Sequence, residues 1–133
     1  MSEFYDFPKI FIEGQEYWQI EVVKNLKVNS GIAIKLGDEL DYEVAVFWVN
    51  NEVFCLSNVC PHRHQNQIAN GIVKNGIVTC PLHFWSYDLR TGENINKRQG
   101  TRSLQSFEVR IIDDYVYLKK PEIKLPKWRQ LEE

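Results

Sequence analysis

Short stretches rich in β-branched and aromatic residues recur along the chain, and polar or glycine-containing turns separate them. Each stretch is four to seven residues long, a length typical of strands in globular proteins. The pattern predicts eight strands, at residues 17–23, 32–36, 43–49, 53–56, 77–80, 85–89, 107–112 and 115–118. Because no stretch of ten or more residues shows the period of an amphipathic helix, we expect an all-β fold.

Three pairs of turn residues predict tight hairpins. Asn50-Asn51, Asn75-Gly76 and Asp113-Asp114 each lie between two apolar runs. Two-residue hairpin turns need positive φ angles, which Asn, Asp and Gly tolerate better than other residues. Many short strands joined by frequent turns are typical of an antiparallel sandwich or a partly open barrel.

The longest apolar run, at residues 44–49, has six residues and predicts a buried strand. It is far shorter than the roughly 20 residues that a membrane-spanning helix needs. Glu3 and Asp6 lie where a secretory signal would carry positive charge. We therefore expect a cytoplasmic protein with no membrane partner.

The composition fits one domain with a proper hydrophobic core. The chain has 133 residues, of which 44% are hydrophobic and 26% are charged, so we expect a single domain over residues 1–133. Pro121 and Pro126 interrupt regular structure in a tail at about residues 121–133. A formal net charge of −2 lacks the basic excess of a general nucleic-acid binder, so no nucleic-acid partner is expected.

The residues that carry chemistry lie between positions 60 and 83. The arrangement is Cys60-Pro61-His62, then seventeen residues, then Cys80-Pro81-Leu82-His83. Thiolate sulfur and imidazole nitrogen are ligands that soft and borderline metals prefer, and a cytosolic chain does not build a disulfide framework. The hairpin at Asn75-Gly76 returns the chain on itself and would bring the second pair beside the first. Two Cys and two His also satisfy tetrahedral zinc, although zinc sites usually use other spacings.

This double motif resembles the signature of Rieske iron–sulfur domains. The prolines after both cysteines fit the family's usual form, as does the run Tyr-Asp-Leu-Arg-Thr-Gly-Glu at 87–93, and a looser resemblance covers about residues 17–119. It implies an all-β, Rieske-type antiparallel sandwich with a small cluster-binding subdomain at about residues 60–91. It also implies one [2Fe–2S] cluster per chain, with Cys60 and Cys80 on one iron and His62 and His83 on the other.

The features that the chain lacks indicate where it falls within this family. We expect neither the membrane anchor nor the extra disulfide of the respiratory-chain type, and we do not expect an oxygenase's catalytic iron domain within these 133 residues. It is similar instead to the soluble Rieske ferredoxins and to the small subunit of assimilatory nitrite reductase. We expect a one-electron carrier between a reductase and an oxygenase or similar acceptor, with no small-molecule substrate and no catalysis of its own. The alternatives are a non-catalytic small subunit of a larger reductase and a zinc-stabilised binding module.

Three positions depart from the family pattern, namely Trp85, His64 and Phe84. High-potential members place a serine and a tyrosine where this chain has Trp85 and Tyr87, so one donor of a hydrogen bond to sulfur is lost and we expect a lower potential. Glycine is usual where this chain has His64 and often found where it has Phe84. Because glycine permits tight curvature of the backbone, these two positions are expected to affect the loops.

The other residues of interest lie outside the four ligands. Cys55 falls within a predicted strand and is expected to be a small buried apolar side chain. In the family a third loop, which aligns near residues 95–100 of this chain, covers the cluster. If it does so here, a local group of basic residues would steer an acidic partner surface toward the cluster, and these residues are Arg63, Lys97, Arg98 and Arg102.

Overall fold

The computed structural model describes residues 4–39, 42–60, 65–81, 84–95 and 103–123, with Cys60, Gln65 and Asn66 described through their backbone. Thirteen strands lie within these ranges: β1 Lys9–Ile12, β2 Gln15–Val22, β3 Ser30–Lys35, β4 Glu43–Val49, β5 Glu52–Ser57, β6 Val59–Cys60, β7 Gln65–Asn66, β8 Ile72–Lys74, β9 Ile77–Thr79, β10 Ser86–Asp88, β11 Ser106–Phe107, β12 Val109–Ile112 and β13 Tyr115–Lys119. The helical elements there are short 3₁₀ turns, among them Val23–Asn25 and Ile68–Asn70.

The strands form two four-stranded sheets and two smaller ones. The outer sheet has the order β1-β2-β13-β12, and the central sheet has the order β11-β5-β4-β3. A three-stranded sheet has the order β10-β9-β8, and β6 pairs with β7. All pairs of named strands are antiparallel, so the predicted all-β antiparallel fold is confirmed. Within the described ranges, no helix has the length and apolar character needed to cross a membrane.

The three predicted hairpin turns are all present. Each has positive φ at both central residues, with angles of 51° and 62° at Asn50-Asn51, 53° and 75° at Asn75-Gly76, and 48° and 70° at Asp113-Asp114. A fourth turn of the same kind, Glu13-Gly14, joins β1 to β2 with φ angles of 50° and 81°. The sequence pattern missed it because Glu is not a residue that favours positive φ.

Strand β4 is buried on both faces. Val44 and Val46 contact one hydrophobic core, and Ala45, Phe47 and Val49 contact a second core on the opposite face. A strand with one face in water alternates between polar and apolar residues, whereas a strand covered on both sides is apolar throughout. The uninterrupted run at 44–49 therefore marks the middle of the molecule.

The two cores lie on opposite sides of the central sheet. The first core joins the central sheet to the outer sheet and contains Trp18, Ile20, Ile34, Leu36, Val44, Val46, Cys55, Val116 and Leu118. The second core joins the central sheet to the three-stranded sheet and contains Ala45, Phe47, Val49, Leu56, Ile68, Ala69, Val78, Cys80, Tyr87, Leu89 and Leu104. Cys55 is 2% exposed in the first core, as predicted.

The predicted strand at 107–112 is two strands. Phe107 pairs with Cys55 in the central sheet, whereas Val109 pairs with Leu118 in the outer sheet. The chain therefore passes from one sheet to the other at Glu108. Residue pattern alone does not reveal this crossing, because apolar residues continue on both sides of it. The predicted tail is described only as far as residue 123.

Candidate metal centre

The second Cys-His pair begins where strand β9 ends. Cys80 follows this strand and its side chain is fully buried. Its backbone N–H donates to the carbonyl of Trp85 at 2.8 Å, and its carbonyl accepts from the N–H of Phe84 at 2.9 Å. These two bonds place Phe84 and Trp85 beside Cys80, after which β10 pairs back onto β9 through Ser86 and Thr79. His83 belongs to the loop at residues 80–85 in the sequence but lies outside the described residues.

Phe84 adopts a backbone conformation that normally favours glycine. Its φ angle is +59°, and its side chain is 67% exposed. Bulky side chains rarely adopt left-handed φ angles, because Cβ then crowds the backbone. The family resemblance implied glycine at this position. Phe84 thus has the left-handed backbone that glycine would adopt without strain.

The first Cys-His pair begins in strand β6. The backbone of Cys60 pairs with Gln65 of β7, so residues 61–64 connect two antiparallel strands. His62, His64 and Arg63 fall within this connection and lie outside the described residues. Of the four predicted ligands, only Cys80 has a described side chain, so the ligand set stays a prediction.

The first loop, at residues 61–64, and the second loop, at residues 80–85, are flanked by residues of the same core. Ile68 and Ala69, which follow the first loop, pack in the second core together with Cys80. At Gly71 the chain passes so close to β9 that an added Cβ would lie 2.7 Å from the carbonyl oxygen of Thr79. The structure therefore brings the segment after the first loop beside the residue that precedes Cys80.

Trp85 and Tyr87 lie at the two positions from which high-potential members of the family donate hydrogen bonds to sulfur, and they differ in burial. Tyr87 is completely buried in the second core, and its hydroxyl group is buried with it. Trp85 is partly buried and packs against the same core. One hydroxyl donor is thus present on the side of the core that holds Cys80. An indole occupies the position where high-potential members of the family place a serine.

The sequence run at 87–93 forms a hydrogen-bonded turn. The carboxylate Oδ1 of Asp88 accepts from the N–H groups of Arg90 at 2.7 Å and Thr91 at 3.1 Å. Gly92 follows with a φ angle of +78°, and its carbonyl accepts from the N–H of Leu104 at 2.8 Å. Ile95 donates to the carbonyl of Ser86 at 3.0 Å. In the sequence this run is notable only through the family resemblance, and in the structure the hydrogen bonds of Ile95 and Leu104 hold both ends of the third loop beside it.

The third loop itself carries the predicted basic group. Lys97, Arg98 and Arg102 lie between residues 96 and 102, outside the described residues, so their steering role stays a prediction. At one end of the loop Ile95 donates to the carbonyl of Ser86 in β10, and at the other end Leu104 donates to the carbonyl of Gly92 in the turn that follows β10. The loop therefore starts and ends next to the strand that follows the second Cys-His pair.

The two described cysteines are suited to different roles. Neither Cys55 nor Cys80 forms a disulfide. Burial raises the pKa of the Cys55 thiol, which keeps this side chain neutral and unreactive in the middle of strand β5. Cys80 instead directly follows strand β9 and makes two backbone hydrogen bonds, to Trp85 and Phe84, that hold it in place. Its thiol, close to a histidine in sequence, fits a mixed sulfur and nitrogen donor set.

Comparisons with known proteins agree with this geometry. The family described as a Rieske-like [2Fe–2S] domain matches residues 16–119. The ferredoxin subunit of anthranilate 1,2-dioxygenase from Burkholderia cepacia is 34% identical over 73 residues, which are 55% of this chain and 66% of that relative. The chain thus spans just under two thirds of that relative's length.

Two solved structures resemble the fold. The ferredoxin of Sphingomonas yanoikuyae B1 superposes with a TM-score of 0.66 at 26% identity, covering 77% of this chain and 97% of that one. A protein described as the small subunit of an NADH-dependent nitrite reductase from Mycobacterium tuberculosis gives a TM-score of 0.69 at 19% identity, covering 82% and 98%. With its antiparallel sheets, a buried cysteine directly after strand β9 and a family match across residues 16–119, the chain belongs to the Rieske-like [2Fe–2S] domain family.

Proposed function

We propose that this chain is a one-electron carrier whose [2Fe–2S] cluster is held by Cys60, His62, Cys80 and His83. The observation that carries the proposal is the placement of Cys80, which is fully buried in a core shared with Ile68 and Ala69 from the end of the first loop. The match of residues 16–119 to a [2Fe–2S] domain family indicates which cofactor is bound. The cluster-binding subdomain spans about residues 60–91.

The four side chains have distinct tasks. Cys60 and Cys80 supply two thiolates to one iron, and His62 and His83 supply two neutral imidazoles to the other. Replacing two anionic ligands by neutral ones makes the uptake of an electron easier, and it raises the potential to roughly −150 to +300 mV. The protein excludes water from the Cys80 sulfur, because Cys80 and Tyr87 have no solvent exposure.

The partners are redox proteins. A relative of this chain is the ferredoxin subunit of anthranilate 1,2-dioxygenase, so a reductase is proposed as the donor and an oxygenase or a similar enzyme as the acceptor. The basic residues of the third loop, Lys97, Arg98 and Arg102, favour an acidic partner surface. Activity in the cytoplasm is part of this proposal, and no bond of a small substrate is made or broken by the chain alone.

A non-catalytic subunit of a larger reductase is the alternative within the same family. The fold resembles that of the described nitrite reductase small subunit, at an identity that supports only the fold. The two alternatives differ in how firmly the partner is held. A shuttle binds its partners transiently, whereas a subunit co-purifies with a large protein.

The decisive experiment is anaerobic purification followed by metal and sulfide analysis. We expect about two irons and two labile sulfides per chain, a reddish-brown colour, and a low-average-g EPR signal after reduction. Cys80→Ala should abolish these signals, whereas the matched variant Cys55→Ala, at the other buried cysteine, should retain them. A colourless protein that contains zinc would contradict the proposal and support the zinc-stabilised module.

A further inference from the structure

Asn58 is a buried polar residue that lies two positions before Cys60. It is 1% exposed and uses both ends of its side-chain amide. Its Nδ2 donates to the Oε1 atom of Glu43 at 2.6 Å, and its Oδ1 accepts from the backbone N–H of Ala69 at 2.6 Å. The side chain therefore links β4 to the 3₁₀ turn that follows the first loop.

The backbone of Asn58 joins the same two segments. Its N–H donates to the carbonyl of Glu43 at 3.0 Å, and its carbonyl accepts from the N–H of Ile68 at 3.3 Å. Asn58 lies before the first loop, whereas Ile68 and Ala69 lie after it. Four hydrogen bonds of one residue thus join the chain before the first loop, at Asn58, to the chain after it, at Ile68 and Ala69, and to Glu43. We call this bonded set of residues the neck of the first loop.

The two anchors of this neck are firmly placed. Glu43 begins β4, the strand that is buried on both faces. Ile68 and Ala69 are 0% and 5% exposed and pack in the core that contains Cys80. The bonds of Asn58 therefore tie the segment that precedes Cys60 to the core that contains Cys80.

The chemistry of the site explains why an amide is present. A buried polar group destabilises the fold unless it is hydrogen-bonded, and leaving one partner unmatched is more harmful than losing a bond at the surface. The Glu43 carboxylate needs a donor, and the N–H of Ala69 needs an acceptor. An amide offers both, whereas a carboxylate offers only acceptors and an aliphatic side chain offers neither.

We infer that Asn58 is a positioning residue for the iron–sulfur centre, fixing the first ligand loop against the core that holds Cys80. This inference rests on the proposed function. Asn58 touches no ligand in the described structure and acts through the two ends of the loop. Its effect is expected on how firmly the cluster is held and on the electronic symmetry of the iron–sulfur centre.

A reciprocal exchange tests the direction of the side-chain bond. Asn58→Asp keeps the acceptor for Ala69 but places a second carboxylate against Glu43. Glu43→Gln keeps an acceptor for Asn58 and should have a smaller effect. The double variant, with Asn58→Asp and Glu43→Gln, restores one donor and one acceptor with the roles reversed.

The measurements are the rate of iron release to a chelator and the EPR g-values of the reduced protein. Asn58→Asp should release iron about tenfold faster than the wild-type protein and shift the g-values, because a hydrogen bond to a charged group is lost. The double variant should recover both readouts. If Asn58→Asp does not fold, recovery of folded protein with wild-type g-values in the double variant supports the same conclusion.

A remote control separates positioning from general stability. Tyr17→Phe also removes a hydrogen bond to a carboxylate, that of Glu108, but in the outer sheet. It should lower the thermal midpoint without changing the g-values. The inference is overturned if Asn58→Asp behaves like Tyr17→Phe, or if the double variant recovers nothing. Wild-type protein without iron and sulfide would instead defeat the proposed function, and the inference with it.

Discussion

The backbone N–H of Leu104 donates to the carbonyl of Gly92 at 2.8 Å, and Gly92 has a φ angle of +78°. A Cβ atom added to Gly92 would collide with the carbonyl oxygen of Leu104. Two requirements therefore coincide at one residue, namely a left-handed backbone and a close approach of two chain segments. This contact joins the turn after β10 to the end of the third loop.

Gly92→Ala should be clearly more destabilising than Gly76→Ala. Both glycines have positive φ, but an added Cβ at Gly76 meets no atom within 4 Å. We expect Gly76→Ala to lower the free energy of unfolding by about 1 kcal/mol and Gly92→Ala to lower it by about 1–3 kcal/mol more. Denaturant unfolding of the two variants measures the difference, and equal losses would show that the approach of Leu104 is unimportant.

Phe84→Gly should be more stable than Phe84→Ala. Both variants remove an aromatic ring that is 67% exposed, so little buried surface is lost in either. Only alanine keeps the strain of a side chain at a φ angle of +59°. The expected difference in the free energy of unfolding is about 1 kcal/mol, measured by parallel denaturation. A more stable alanine variant would contradict the left-handed conformation.

The stabilising effect of Tyr17 should depend on pH. The Tyr17 hydroxyl donates to the carboxylate of Glu108 and, with Lys119 and Arg110 nearby, holds the pKa of that carboxyl below its ordinary value. A lowered pKa in the folded state gives stability that is present above the ordinary pKa of Glu and is lost as pH falls through the lowered one.

Thermal unfolding of Tyr17→Phe against the wild-type protein measures this dependence. We expect the difference in midpoint to be largest at neutral pH and to shrink below about pH 4. Tyr115→Phe, at a tyrosine that is 37% exposed on β13, is the control and should show a difference that hardly varies with pH. A gap for Tyr17→Phe that widens in acid would contradict the assigned direction.

The midpoint potential should respond in opposite directions to two substitutions near Cys80. Tyr87→Phe removes a buried hydroxyl donor and should lower the potential, whereas Trp85→Ser adds a donor and should raise it. Hydrogen bonds to sulfur stabilise the extra negative charge of the reduced state, so each shift is expected to be on the order of tens of millivolts. Protein-film voltammetry measures both, and a wild-type value well above roughly +150 mV would contradict the low-potential prediction.

The sequence by itself determined the features that depend on neighbouring residues. The three predicted hairpins formed because Asn50, Asn75 and Asp113 begin pairs of residues that accept positive φ, a preference that each turn expresses without help from the rest of the chain. The apolar run at 44–49 marked a buried strand for the same local reason. The double Cys-His motif around the Asn75-Gly76 turn carried the resemblance to the Rieske family, and the ligand set that this resemblance implies stays a prediction.

Only the tertiary structure decided what depends on distant segments. The chain crosses from the central sheet to the outer sheet at Glu108 because the residues on its two sides pair with different strands. Phe107 pairs with Cys55, and Val109 pairs with Leu118. The neck closed by Asn58 joins residues 43, 58 and 69, which no local pattern relates. Hydrogen bonds and contacts of this kind form only when the chain has folded, because their partners are brought together by the packing of the sheets and not by the preferences of adjacent residues.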